Sequence, residues 1–170
     1  VTAGNLNRFY VYGYHNGTPS VVFNNVSVIK DGGNWTMQKA NEKNWETKLY
    51  NFAAYADGRG VAEHSESTLE TSFAEATLSF TDYSTESQTD LIAALYARDN
   101  SSVLNTTEVA LDFKHLLSKV DFTFQNTNDN NLYMVVSNVK LTVKTVANCD
   151  YDGTATWSSF DSETEYPLDQ

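Results

Sequence analysis

The residues that could do chemistry in this chain are three histidines, a single cysteine and two clusters of Asn and Asp. His15, His64 and His115 are far apart. None falls in an HxxxH or HExxH spacing, which would set two imidazoles on one helix face around a metal ion. Cys149 stands alone, so no internal disulfide can form. A lone cysteine with no basic neighbour reads as a small core residue rather than a nucleophile. Serines are common, yet no Gly-x-Ser-x-Gly elbow occurs, and neither a glycine-rich phosphate loop nor a dinucleotide fingerprint is present. Asn126 to Asn131 offers only the carboxylate of Asp129. Asn148, Asp150 and Asp152 before Gly153 look like half of a calcium loop, but no bidentate Glu follows at the required distance. Turn formation accounts for both clusters. The sequence therefore assigns no catalytic, cofactor-binding or metal-ligating residue, implies no cofactor, and points away from an enzyme.

What remains is the framework that such residues would need, and it reads as strands. The central stretch is Val109-Ala-Leu-Asp-Phe-Lys-His-Leu-Leu-Ser-Lys-Val-Asp-Phe-Thr-Phe124. Val109, Leu111 and Phe113 alternate with polar residues, as in a half-buried strand. At Leu116-Leu117 the pattern breaks, and Val120, Phe122 and Phe124 resume it one residue out of phase. A strand changes its buried face only through a bulge, a bend or a move to a second sheet. The expectation is two short strands, or one kinked strand that changes sheets at the corner of a sandwich.

The rest of the chain supplies the other strands. Arg8 to Tyr14 is aromatic and β-prone, and His15 to Ser20 is a turn. Ser20–Phe23 and Val26–Ile29 read as strands separated by Asn24-Asn25, and Asp31-Gly32-Gly33 makes a tight turn. Strands are expected from Asn34, over Lys48–Ala56 and over Phe73–Phe80. Asp57 to Ser67, Tyr83 to Gln88 and Arg98 to Thr107 read as loops, with Arg59 an exposed, protease-sensitive point. Leu91, Ile92, Leu95 and Tyr96 sit at helical spacing, and on its own the segment 89–97 predicts a short helix. After a polar tip at Asn126–Asn131, the run Leu132–Lys144 mirrors the central stretch and is expected to pair with it. Residues 158–170 are acidic and show no closing strand.

The bulk numbers set limits. A chain of 170 residues suits one domain with a sizeable core. Its net charge of −11, with scattered Lys and Arg, would repel nucleic acid and anionic lipid. No run is long enough to cross a membrane as a helix, and Val1 reads as a processed or engineered start.

Phe113-Lys-His-Leu-Leu-Ser-Lys-Val120 resembles the central motif of the fimbrillin-like surface proteins of Bacteroides-type bacteria. Trp35, Trp45 and Phe52-Ala-Ala-Tyr55 match the order of that family's two tryptophans and aromatic strand. Val139-Lys-Leu141, Gly153 and Trp157 match its ending. Asp90-Leu91 and Tyr96-Ala97 match an extended segment before the central strand, so the resemblance favours a strand where periodicity alone predicts a helix. Turn signals this frequent and the aromatic content read as an all-β, two-sheet antiparallel β-sandwich of about seven strands, transthyretin-like, and the resemblance agrees; by residue type Trp35 and Trp45 read as core anchors and His115 as a satisfied core histidine. The resemblance implies an N-terminal domain at 1–157, followed at 158–170 by a linker or the start of a C-terminal domain. The implied role is structural and adhesive. Such a subunit is exported as a lipoprotein to the cell surface, cut after an arginine and completed by a strand from a neighbouring fimbrial subunit. An alternative on the same fold is a monomeric glycan-binding, anchor or tip module with an exposed aromatic platform drawn from Tyr10, Tyr12, Tyr14, Trp35 and Trp45.

Overall fold

The computed structural model describes residues 6–17, 20–57, 69–85, 90–127 and 135–167. His64, Arg59, Thr89, Asp129, Leu132 and Met134, on which several of the expectations above fall, lie outside the described residues.

The fold is an all-β, two-sheet antiparallel sandwich. β1 (Arg8–His15), β2 (Val21–Asp31), β3 (Asn34–Met37) and β4 (Leu49–Ala56) come first. β5 (Glu70–Ala74), β6 (Thr77–Ser84) and β7 (Ile92–Asp99) follow. The chain ends with a two-residue β8 (Lys114–His115), then β9 (Lys140–Tyr151) and β10 (Ala155–Pro167). The first sheet runs β3-β2-β1-β4-β7-β8 and the second β10-β9-β6-β5.

The core explains why so many strands lack clean alternation. β1 and β4 lie at the centre of the first sheet and are buried on both faces. Tyr10, Tyr12, Ala53 and Tyr55 face the second sheet, where they meet Phe73, Leu78, Phe80, Tyr83 and Cys149. Phe9, Val11, Phe52 and Ala54 face the other way and form a second cluster with Val28, Tyr50 and Ile92. That outer face is covered by irregular chain, through Trp45, Leu111 and Phe113. A strand buried on both sides needs apolar residues at every position, so periodicity cannot identify it. Gly13 lies opposite Phe52 on the neighbouring strand β4, and a Cβ there would sit 2.7 Å from the Phe52 ring.

The same double burial overturns the helix expected at 89–97. Leu91, Ile92, Ala93 and Ala94 are all buried. β7 pairs with β4 along its whole length, from Ala56↔Ile92 to Leu49↔Asp99. The helical spacing of the apolar residues is a by-product of a strand with no exposed face.

Four other expectations change. The two strands around Asn24-Asn25 are one, β2, and Asn25 takes a positive φ of 52° where the pairing with β1 slips. The single strand over 73–80 is a hairpin, β5–β6, turning at Glu75-Ala76. The returning strand begins at Lys140, and β9 pairs with β10 and β6 rather than with the central stretch. Residues 158–167, which show no closing strand in the sequence, form the second half of β10.

Of the central stretch, only Lys114–His115 forms a strand. The change of phase is nevertheless real. Leu111 and Phe113 pack on the outer face of the first sheet. Leu116 and Leu117 pack in the core between the sheets. The chain crosses the edge of the first sheet at this point, which is why the apolar positions switch parity.

Candidate interaction surface

The crossing is held by bonds to the main chain of Leu116. Leu116 N–H donates to Leu91 O at 2.8 Å, and Trp157 Nε1–H donates to Leu116 O at 3.0 Å. The Trp157 ring also meets Tyr83 edge-on, with centroids 5.9 Å apart. His115 Nδ1 lies 2.8 Å from an Asp90 carboxylate oxygen. Burial raises the Asp90 pKa, but hydrogen bonds and positive charge, His115 included, outweigh it and hold the carboxyl below its ordinary value.

Beyond Leu116 the sandwich is open among the described residues. β8 pairs with β7 only at Ile92 and Ala93. β10 has β9 on one side and, among the described residues, no strand on the other. Between these two edges lies a groove of about 550 Å³, lined mainly by Tyr83, Leu116, Leu117, Ala147, Trp157 and Phe160. Lys144 is at its rim, and on the far side of the β9–β10 ribbon Lys144 and Lys140 pair with Glu163 and Glu165 at 2.9 and 2.6 Å.

The chain that leaves the groove has no assigned secondary structure and pairs with no strand among the described residues. Val120, Phe122 and Phe124 are 58, 48 and 56% exposed, and Phe160 at the groove is 56% exposed. Full burial of one such side chain is worth about 1.5–3 kcal/mol. Three at alternate positions, on the chain that follows Ser118 at the groove, make a candidate interaction surface.

The residues singled out in the sequence are placed as follows. His15 and His115 sit on different strands. His15 Nδ1 accepts from Gly17 N–H at 3.0 Å. His115 has its side chain 58% exposed at the sheet edge, so it is not a core histidine. Cys149 is buried, as expected. Burial pushes its thiol up to about 11, so it stays protonated at neutral pH. The half calcium loop is occupied by protein donors. Asn148 Oδ1 accepts from Asp82 N–H at 2.9 Å, Asp150 Oδ1 from Ser79 at 2.6 Å, and Asp152 Oδ1 from Thr154 N–H at 3.1 Å. Among the described residues no three metal-ligating side chains cluster.

The aromatic platform does not assemble. Tyr10 and Tyr12 are core residues. Tyr14 packs against that core, and Trp45 lies under the Arg98 guanidinium, 4.3 Å from its centre. Trp35, expected as a core anchor, is 42% exposed on the edge strand β3, with its ring edge-on to Phe9.

Sequence reasoning missed Arg98. This buried side chain donates to Thr107 O at 2.8 Å, Glu108 O at 3.0 Å, Asn105 O at 3.3 Å and the Tyr96 hydroxyl at 2.8 Å. It ties the irregular chain after β7 to the outer face of the first sheet. The available signal was a charge at the end of an apolar run, where the sequence reads as a loop, whereas Arg98 lies within β7 opposite Tyr50.

Among known proteins, the family profile described as fimbrillin-like matches residues 2–170. No curated protein and no solved structure matches the chain.

Proposed function

We propose that this chain, which belongs to the fimbrillin-like family, is a fimbrial subunit whose sandwich is completed by a strand from a neighbouring subunit. Membership carries the general part: a structural protein of the fimbrial cell surface. The finer part is our reading, and one observation carries it. Among the described residues the sandwich has an open side, with one edge of the long β10 unpaired, a β8 of two residues and an apolar groove between them. Strand addition fits such a site: main-chain hydrogen bonds give affinity, and alternate side chains fill the groove. An unpaired edge beside exposed apolar surface is a liability that a partner strand removes.

The resemblance of the central motif and the two-tryptophan region supports the rest of the reading. The subunit is exported as a lipoprotein anchored in the outer membrane. It becomes competent to assemble once an N-terminal segment is cut away. Its partners are other fimbrial subunits, and adhesion to host or bacterial surfaces follows from the fibre they form.

The test is assembly after proteolysis. The full-length protein, nicked lightly with trypsin, is followed by size-exclusion chromatography and negative-stain microscopy. Filaments, or heat-resistant ladders on gels, are expected. A protein that stays monomeric would overturn the shaft reading and leave an anchor, tip or glycan-binding role.

A further inference from the structure

β1 ends at His15, and the chain bends away through Asn16-Gly17, the one Asn-Gly pair in the sequence. Glycine leaves its own nitrogen unshielded, so the main chain there can approach the preceding amide side chain closely. Three groups surround this pair. Gly17 N–H donates to His15 Nδ1 at 3.0 Å, which makes Nδ1 the unprotonated nitrogen of a neutral imidazole. The ring is held edge-on to Tyr50, with centroids 5.7 Å apart. Asn16 Oδ1 accepts from Leu49 N–H at 3.0 Å, and Asn16 N–H donates to Leu49 O at 3.1 Å, so the amide side chain is fixed against the start of β4. Lys48 closes the site: a Cβ on Gly17 would meet both its Nζ and the His15 ring. Asn16 itself is exposed, within reach of water.

We propose that Asn16-Gly17 is a self-modification site, at which the folded protein deamidates its own Asn16 with His15 as general base. His15 Nδ1 takes the proton of Gly17 N–H as that nitrogen attacks Asn16 Cγ. Leu49 N–H already points at Oδ1, where negative charge develops, and the Lys48 ammonium stands beside it. The bond from Cγ to the side-chain nitrogen then breaks. The nitrogen leaves as ammonia with the proton His15 had taken, and a cyclic imide remains. Water opens the imide at one carbonyl to give aspartate or at the other to give isoaspartate. Nucleophile, base and carbonyl donor are in place before reaction, which is where most of the rate advantage of a held geometry comes from. Aspartate keeps the acceptor for Leu49 N–H and adds a negative charge next to Lys48. Isoaspartate lengthens the main chain by one carbon and displaces the Asn16–Leu49 bonds that extend the β1–β4 ladder beyond His15↔Tyr50. The inference does not depend on the subunit reading.

The test is the rate at which residue 16 is converted in the full chain, followed at neutral pH by peptide mass mapping and an isoaspartate assay. The reference is the same chain unfolded in urea, where the pair reacts without its neighbours. The folded protein is expected to convert at least about tenfold faster than the unfolded chain. A folded protein that converts no faster overturns the proposal, because the hydrogen bonds would then only close a turn. Two variants separate the base from the fold. His15→Phe keeps a ring against Tyr50, and His15→Gln keeps an acceptor for Gly17 N–H; neither can take the proton. Both are expected to bring the folded rate down to that of the unfolded chain or below, with the circular dichroism spectrum unchanged. A His15→Gln protein that converts as fast as wild type would remove His15 from the reaction and overturn the assignment.

Discussion

Glu75 and Ala76 turn the β5–β6 hairpin, both at positive φ, 49° and 64°. That is the geometry of a two-residue turn whose twist matches the flanking strands, and it normally carries Asn-Gly or Gly-Gly. A side chain held there costs roughly 1–2 kcal/mol. Ala76→Gly is therefore expected to stabilise the protein by about 1 kcal/mol, part of the gain being lost to glycine's greater freedom when unfolded. Urea denaturation would show the midpoint rising with the slope unchanged. The same residues explain a misreading. With no turn former at 75–76, the sequence passes a single strand through a reversal. Cys149 was legible because its burial follows from type alone. His115 was not. Its neighbours Phe113 and Leu116 are packed, but the chain crosses a sheet edge between them and leaves the imidazole outside with Asp90.

At the scale of elements, Arg98 shows how an irregular segment can be held as firmly as a strand. Burying a guanidinium costs several kcal/mol. Here three carbonyls, the Tyr96 hydroxyl and the Trp45 ring face it. Hydrogen bonds to a charged group are worth about 1.5–3 kcal/mol each, so the partners outweigh the burial. Arg98→Lys keeps the charge but loses the planar fork. It should cost about 3 kcal/mol, read as a lower thermal midpoint, with faster proteolysis of residues 100–113. A loss below about 0.5 kcal/mol would contradict the clamp. The strands themselves divide by burial. β1 and β4 were legible as aromatic β-prone runs. β7 was ambiguous because both its faces are covered, and the family resemblance rather than its periodicity pointed to a strand. In the central stretch the phase change was legible and the pairing was not. Alternation says which side chains share a face, but not which strand lies alongside.

For the whole molecule, the two-sheet class was readable from turn frequency and aromatic content, and the family resemblance agreed with it. The open side was not readable. Whether a sheet edge has a neighbour depends on strands distant in sequence, and β10 in particular carries charges that suggested a linker. Asp161, Glu163 and Glu165 sit on a strand whose outward face is a ladder of ion pairs with Lys140 and Lys144. Such exposed pairs contribute little stability, about 0–1 kcal/mol each, but they keep that face of the ribbon wet. The apolar groove on the other side is then the surface left for a partner. With a net charge of −11, two copies repel at low salt, so association belongs at an ionic strength near about 0.15 M, where the repulsion is screened beyond about 8 Å.

The account stands on completion of this sandwich by a strand from another molecule, and amide hydrogen exchange tests that most directly. Backbone amides of β10 would be compared in the processed, assembled protein and in the monomer. Protection appearing in β10 on assembly, with the β1 and β4 amides slow in both states, is the expected result. Assemblies in which β10 exchanges as fast as in the monomer would contradict it, because the edge would then still be open.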